Sequence, residues 1–324
     1  MASNLTISKV SIHAASLESN YLGDPTSRDI ILVAHNFHDE SPILIGLAGF
    51  FGTSLSFLNR SYSSRDFIST LERICSGLPD LSFMIALPDS MTSLYGNQYM
   101  NSSCVGNYED FITKDVVGFL QKSYGKRKLG IFGKSSGGFG AYNLTIRNPN
   151  LFSGFVDVSG DSGFEYCYLR DFPDSIEAFR KDGLNAFLEK FRKSPTHSRQ
   201  DLNAMGTAAM AAFYSPNRNE IGKIDLPFDL HTGLLDYEIW KRWIEHDPAR
   251  NIKSNIQSLR NKKIIMQVGN RDEFSINIGM RSMHETLGLA GIDHEYNEYD
   301  EGHFSIDYLY EYSLPMLLSY LKSL

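Results

Sequence analysis

Leu129 to Ala141 reads LGIFGKSSGGFGA. The first five residues are an apolar run of strand type, and from Ser136 a glycine-rich helix pattern continues to Arg147. At the join, Gly133, Ser135 and Gly137 satisfy G-x-S-x-G. In that spacing a serine sits on a sharp strand-to-helix turn, and the flanking positions must be glycine because a larger side chain would meet the strand or the helix. The turn lifts the Ser135 hydroxyl above the sheet and leaves the Ser136 amide at a helix N-terminus, where it can donate to a developing oxyanion. Chance occurrence of so short a motif is the plain alternative, and the strand before it and helix after it weigh against that. Two other glycine motifs fail. Gly133-Lys134-Ser135 copies the end of a phosphate-binding P-loop, but the first glycine of that loop would fall on Lys128. No G-x-G-x-x-G follows the first parallel strand either, which disfavours a dinucleotide site.

Outward from this turn, strand-like and helix-like segments alternate. Ile7 to Ala15 alternates apolar and polar residues, and Asp29 to His35 (DIILVAH) follows, so the N-terminal strands form an antiparallel edge. Pro42 to Gly49 (PILIGLAG) and Ser82 to Leu87 (SFMIAL) are continuous apolar runs, the pattern of strands covered on both faces. Ser64 to Cys75 lies between them with a helical pattern. Asn107 is a candidate N-cap for a helix whose apolar residues recur at Phe111, Ile112, Val116, Phe119 and Leu120. Gly154 to Ser159, Lys263 to Gly269, a helix over Ile276 to Leu289, His294 to Tyr299 and a last helix over Ser305 to Leu321 complete the rhythm, with Pro315 expected to kink or split that helix. The pattern is α/β, with a mostly parallel, doubly wound sheet. Between Gly160 and Lys263 the alternation stops. Residues 161–255 read as a mainly helical, aromatic-rich insertion within a single domain over 1–324, packed over the C-terminal edge of the sheet, where α/β proteins bind ligands.

A serine nucleophile needs a base, and the base needs an orienting acid, in the chain order Ser, Asp or Glu, His on α/β-hydrolase scaffolds. Asp272 follows the strand that ends at Gly269, and His303 lies between the last strand and the last helix. Glu273 and Asp300 are rivals for the acid. Of the other histidines, His13, His35 and His38 precede the serine, His284 and His294 lie within or at the start of regular elements, and His197, His231 and His246 fall in the insertion. The second oxyanion donor usually comes from the loop after the third strand. Here that loop is Leu47 to Gly52, with the Phe50 amide as candidate and Phe51 one step away. His35 to Asp39 (HNFHD) has half the spacing of a metal site but reads as a connection between strands, so neither metal nor cofactor is expected.

The 324 residues carry 31 Lys and Arg against 38 Asp and Glu, a formal charge of -7, with 42% hydrophobic and 21% charged residues. That composition excludes a disordered or fibrous chain and argues against nucleic acid or an anionic membrane as the main partner. Cys75, Cys104 and Cys167 form no metal-like or C-x-x-C pattern, which suits a reducing compartment. Met1 to Val10 lacks the charged flank and apolar run of a signal peptide, and Ile43 to Phe51 is too short to span a bilayer. A soluble, cytoplasmic protein without membrane insertion is expected, with its oligomeric state, homo-oligomer included, left open.

The chain resembles the putative esterase family of α/β-hydrolases, which includes esterase D (S-formylglutathione hydrolase), feruloyl and siderophore esterases and the antigen 85 mycolyltransferases. The resemblance rests on SLESNYLGDPTSRDI (16–30), GLAGFF (46–51), GNQYMNSSCVGNYEDF (96–111), GKSSGGFGA (133–141), VSGDSGF (158–164), Asp272-Glu273-Phe274 and Gly302-His303. It implies the α/β-hydrolase fold and a triad of Ser135, Asp272 and His303 with backbone donors at Phe50 and Ser136. The activity expected is that of a serine carboxylic ester hydrolase acting on a small-molecule ester through an acyl-enzyme. An acyltransferase, a thioesterase such as S-formylglutathione hydrolase, and a non-catalytic binding protein on the same fold are the alternatives. Trp240 and Trp243 in the insertion are candidates both for an acyl pocket and for core packing.

Overall fold

Eight strand-forming runs pair into one sheet in the computed structural model, which describes residues 5 to 62 and 64 to 324. Met1 to Asn4, the start of the N-terminal stretch considered above, lie outside the described residues. The strands are β1 (Leu5–His13), β2 (Ser27–His35), β3 (Ile43–Leu47), β4 (Phe83–Pro88), β5 (Leu129–Lys134), β6 (Gly154–Val158), β7 (Lys263–Gly269) and β8 (Glu295–Tyr299), in the spatial order β1-β2-β4-β3-β5-β6-β7-β8. β2 pairs antiparallel with both β1 and β4, and every other pairing is parallel, so β2 alone runs against the sheet. The half-polar β1 is an edge strand with most of its residues exposed, as its alternation requires.

The continuous apolar strands are buried on two faces. Along β4, Met84 and Ala86 enter one core while Phe83, Ile85 and Leu87 enter the other, because successive side chains of a strand point to opposite sides. Helices α1 (Phe67–Gly77) and α10 (Tyr310–Ser323) cover the second face through Leu71, Ile74, Leu314 and Leu318. α2 (Val117–Tyr124), α3 (Ser136–Arg147) and α9 (Ile276–Leu289) cover the first through Leu120, Leu144 and Met283. This is the α/β-hydrolase arrangement.

Three local expectations are corrected. α10 begins at Tyr310, after a short 3-10 turn, and Pro315 lies inside it without splitting it. The missing N–H costs that helix one bond, and the buried face formed by Leu314, Leu317, Leu318 and Leu321 holds it together. Asn107 makes no side-chain cap, and the Asp110 amide donates instead to Asn101 Oδ1 at 3.1 Å. From Tyr108 the chain then passes through a π-helical stretch, Phe111–Val116, before α2.

Between β6 and β7 the described chain adds no strand to the sheet. It forms α4 (Phe164–Cys167), α5 (Phe172–Arg180), α6 (Gly183–Lys193), α7 (Arg199–Tyr214), α8 (Tyr237–Ile244) and shorter turns. Their aromatic residues pack on one another. Phe172 meets Phe228, Trp240 and Trp243 at ring distances of 5.1, 5.6 and 5.7 Å, and Trp243 Nε1 donates to Ser215 Oγ at 2.8 Å.

Asp157, on β6, is buried between Gly138 and Gly160, and a Cβ on either glycine would overlap its carboxyl group. Burial pushes its pKa up to about 8, against the opposing pull of the Gly160 amide. A raised acid binds a proton in the folded chain that the unfolded chain releases near its ordinary pKa of about 4. Stability therefore falls as pH rises from about 4 to 8, by at most about 1.4 kcal/mol per pH unit. Asp157→Asn, which mimics the neutral form, is expected to be more stable than the parent at pH 8 and to lose that advantage towards pH 4, as followed by denaturant unfolding at each pH. An equal effect of the substitution at both ends would contradict this account.

Candidate active site

β3 and β5 are neighbours, with Leu47 opposite Gly133. From β3 the chain moves to one side to make β4 and then returns to the other side to make β5, so the loops leaving the C-terminal ends of β3 and β5 diverge and open a crevice between them. Ser135 sits at that point with φ 56° and ψ −130°, a region that costs a non-glycine residue on the order of 1–3 kcal/mol. Its amide continues the ladder to the Val158 carbonyl at 3.0 Å, and its carbonyl accepts from Phe139 at 3.0 Å. A Cβ on Gly133 would overlap the Gly137 backbone, and one on Gly137 would overlap the Leu47 carbonyl. The two motif glycines thus let β3, β5 and α3 close on one another.

His303 and Asp272 come together across the loops after β8 and β7. His303 Nδ1 lies 2.8 Å from Asp272 Oδ2, with both residues buried. Burial of Asp272 opposes its charge, but the hydrogen bond and charge of His303, with the Phe274 amide on Oδ1 at 2.9 Å, hold its carboxyl below the ordinary value. An ionised carboxylate only accepts, so Nδ1 carries the proton and the neutral ring offers Nε2 as acceptor. The rival acids have other work. Glu273 accepts from the His303 backbone amide and Asp300 pairs with Arg271 on the surface.

The loop Leu47 to Gly52 borders the serine, for a Cβ on Gly49 would stand 3.4 Å from Ser135 Cβ. Within it the Phe51 amide is engaged by the Tyr95 carbonyl at 2.9 Å, whereas no acceptor within the described chain takes the Phe50 amide. Phe50 packs its ring against Gly96, where a Cβ would overlap it. Phe50, Ser135, Ser136 and His303 all line one cavity of about 940 Å³, which Tyr168 and Met210 of the helical segment also line.

The sequence profile of the family described as Putative esterase matches residues 89–315, more than two thirds of the chain. The chain belongs to the putative esterase family. Among solved structures, it is similar to a ferulic acid esterase at 14% identity and TM-score 0.60, with both chains covered in full. It is also similar to an S-formylglutathione hydrolase from Agrobacterium tumefaciens at 13% identity and TM-score 0.59, covering 99% of this chain and 97% of the other. A third likeness is to the fluorophosphonate-binding serine hydrolase FphF of Staphylococcus aureus, at 12% identity and TM-score 0.57, with 98% of each chain covered. A search of curated protein sequences finds no significant match.

Within this esterase-family fold, some candidates fall away from the site. Trp240 and Trp243 are buried in the aromatic packing of the helical segment and do not line the cavity. Lys134 stays at the cavity but is paired there with Asp307 at 2.7 Å. His35 is the last residue of β2 and His38 lies in the connection that follows, and no group of three or more His, Cys, Asp or Glu side chains among the described residues could hold a metal. One residue was missed. Asp161, just past β6, is buried with Oδ1 3.5 Å from Ser135 Oγ. Its place three residues beyond the end of the parallel strand β6, in VSGDSGF, was the available signal.

Gly137→Ala is expected to destabilise the fold by about 3 kcal/mol or more, or to prevent soluble expression, because the methyl group must displace backbone rather than a flexible side chain. Gly288→Ala, where nothing lies within 4 Å of the added carbon, serves as the comparison in a thermal melt and should leave the melting temperature unchanged or higher. Equal melting temperatures for the two variants would refute the packing argument.

Proposed function

We propose that the protein is a serine carboxylic ester hydrolase in which Ser135 is the nucleophile, His303 the general base and Asp272 the residue that orients it. The observation that carries the reading is the buried 2.8 Å contact between His303 Nδ1 and Asp272 Oδ2, with His303 lining the same cavity as Ser135. Membership of an esterase family supports it.

His303 Nε2 takes the Ser135 proton as Oγ bonds to the ester carbonyl carbon, and Asp272 stabilises the imidazolium. The Phe50 and Ser136 amides donate to the oxyanion, each contribution being on the order of 3 kcal/mol. Collapse breaks the bond to the leaving alcohol, which receives the proton from His303. Water then repeats the sequence on the acyl-enzyme and returns the hydroxyl to Ser135. The helical residues 161–255 are proposed to cap a single α/β-hydrolase domain over this cavity. Cytoplasmic action is proposed with it, and three buried, unpaired cysteines fit a reducing compartment.

Ser135→Ala should abolish both hydrolysis of short-chain p-nitrophenyl esters and labelling by a fluorophosphonate while the far-UV spectrum is kept. Full activity in that variant would end the proposal. Asp272→Asn should lower kcat by roughly 10³ to 10⁴, since the ring then loses the tautomer it needs. Glu273→Gln, which keeps an acceptor for the His303 amide, should cost far less. Reversed ranking of these two variants would move the acid to Glu273.

A further inference from the structure

Asp161 is a second buried acid at the nucleophile that the hydrolytic sequence does not use. Three donors converge on one of its oxygens: Ser136 Oγ at 2.9 Å, Tyr168 OH at 2.9 Å and Gln98 Nε2 at 3.1 Å all reach Oδ2. They clamp the carboxyl group and leave Oδ1 aimed at Ser135 Oγ, 3.5 Å away, on the cavity wall. A clamped carboxylate whose other oxygen takes only a long 3.5 Å hydrogen bond from Ser135 Oγ has room to accept from something else.

The charge around it asks for a cation. Burial pushes the Asp161 carboxyl up, and the bonds from Tyr168, Ser136 and Gln98, with the charge of His303, pull it back. Asp157 is a further buried acid close by, raised mainly by burial, and the partly buried Asp171, also raised by burial, lines the same cavity. None of the basic side chains lining the cavity, Arg60, Arg65, Lys134, Arg170 and Arg199, donates to Asp161, whose donors are Ser135, Ser136, Tyr168 and Gln98. Lys134 pairs with Asp307, Arg65 with Glu311, and Arg170 with the Glu273 carbonyl and Asp171. With a neutral acyl group bound, Asp161 must either take up a proton or repel the oxyanion forming on the carbon attached to Ser135 Oγ. An ammonium on the substrate removes that conflict.

We infer that the acyl site selects esters of α-amino acids, with the α-ammonium donating to Asp161 Oδ1. The position follows from the distance. When the acyl carbon is bonded to Oγ, a substituent on the next carbon comes within hydrogen-bond reach of an oxygen 3.5 Å from Oγ. The inference rests on Ser135 being the nucleophile.

The test compares three benzyl esters of matched shape, those of alanine, lactate and isobutyrate, at about pH 6.5, below the α-amino range of 7.7–8.0. The parent enzyme should show kcat/KM for the alanine ester about 10- to 100-fold above that for isobutyrate, the span expected for a hydrogen bond to a charged group. In Asp161→Asn the ratio should collapse towards about 1, with isobutyrate turnover rising as the repulsion is removed. No preference in the parent, a preference that survives in Asp161→Asn, or equal gains for lactate and alanine would overturn the inference. The parent comparison decides the matter even if the variant does not fold. Failure of the serine reading itself looks different, with no ester turned over and no fluorophosphonate adduct on Ser135, and it would remove this inference as well.

Discussion

The close approach of three backbones around Ser135 is the constraint on which the rest of the site depends. α3 begins against the end of β5 and beside the Leu47 carbonyl of β3, with Gly133 and Gly137 as the points of contact. Because these elements touch without intervening side chains, the strained serine is held by backbone bonds to Val158 and Phe139. The loop after β3 is brought to the same spot. Strain of this kind persists only where the surroundings over-determine it, and here two strands and a helix do so.

Three buried aspartates near this turn show how surroundings divide one side chain into different states. Asp272 meets a histidine ring and a backbone amide and is held below its ordinary pKa despite burial. Asp157, pressed between glycines with one oxygen lacking any partner, is pushed up to about 8. Asp161 stands between them, raised by burial and opposed by three donors on one oxygen. Opposite charge, bare desolvation and clamped hydrogen bonding are separate physical causes.

Much of this was legible along the chain because the deciding signals are local. The strand-turn-helix over Leu129 to Arg147 and the two-faced burial of SFMIAL follow from side-chain size and the period of two, and the β7 and α9 boundaries fall where hydropathy and turn residues put them. Pro315 and Asn107 show the limit. A proline inside a helix with a long buried face is tolerated, and a cap is made by whichever polar group lies nearest, here Asn101. The tryptophans illustrate the same limit, since neither residue type nor spacing says which wall of a helical segment faces a cavity.

The sequence by itself determined the α/β-hydrolase fold, the serine turn and the order of the candidate residues, because glycine placement, apolar periodicity and chain order are properties of a few neighbouring residues. Only the tertiary structure decided that Asp272 rather than Glu273 meets the His303 ring, that Phe50 rather than Phe51 keeps an uncommitted amide, and that Asp161 turns an oxygen towards Ser135. Those choices turn on distances of a few ångströms between loops far apart in the chain, which local pattern does not carry.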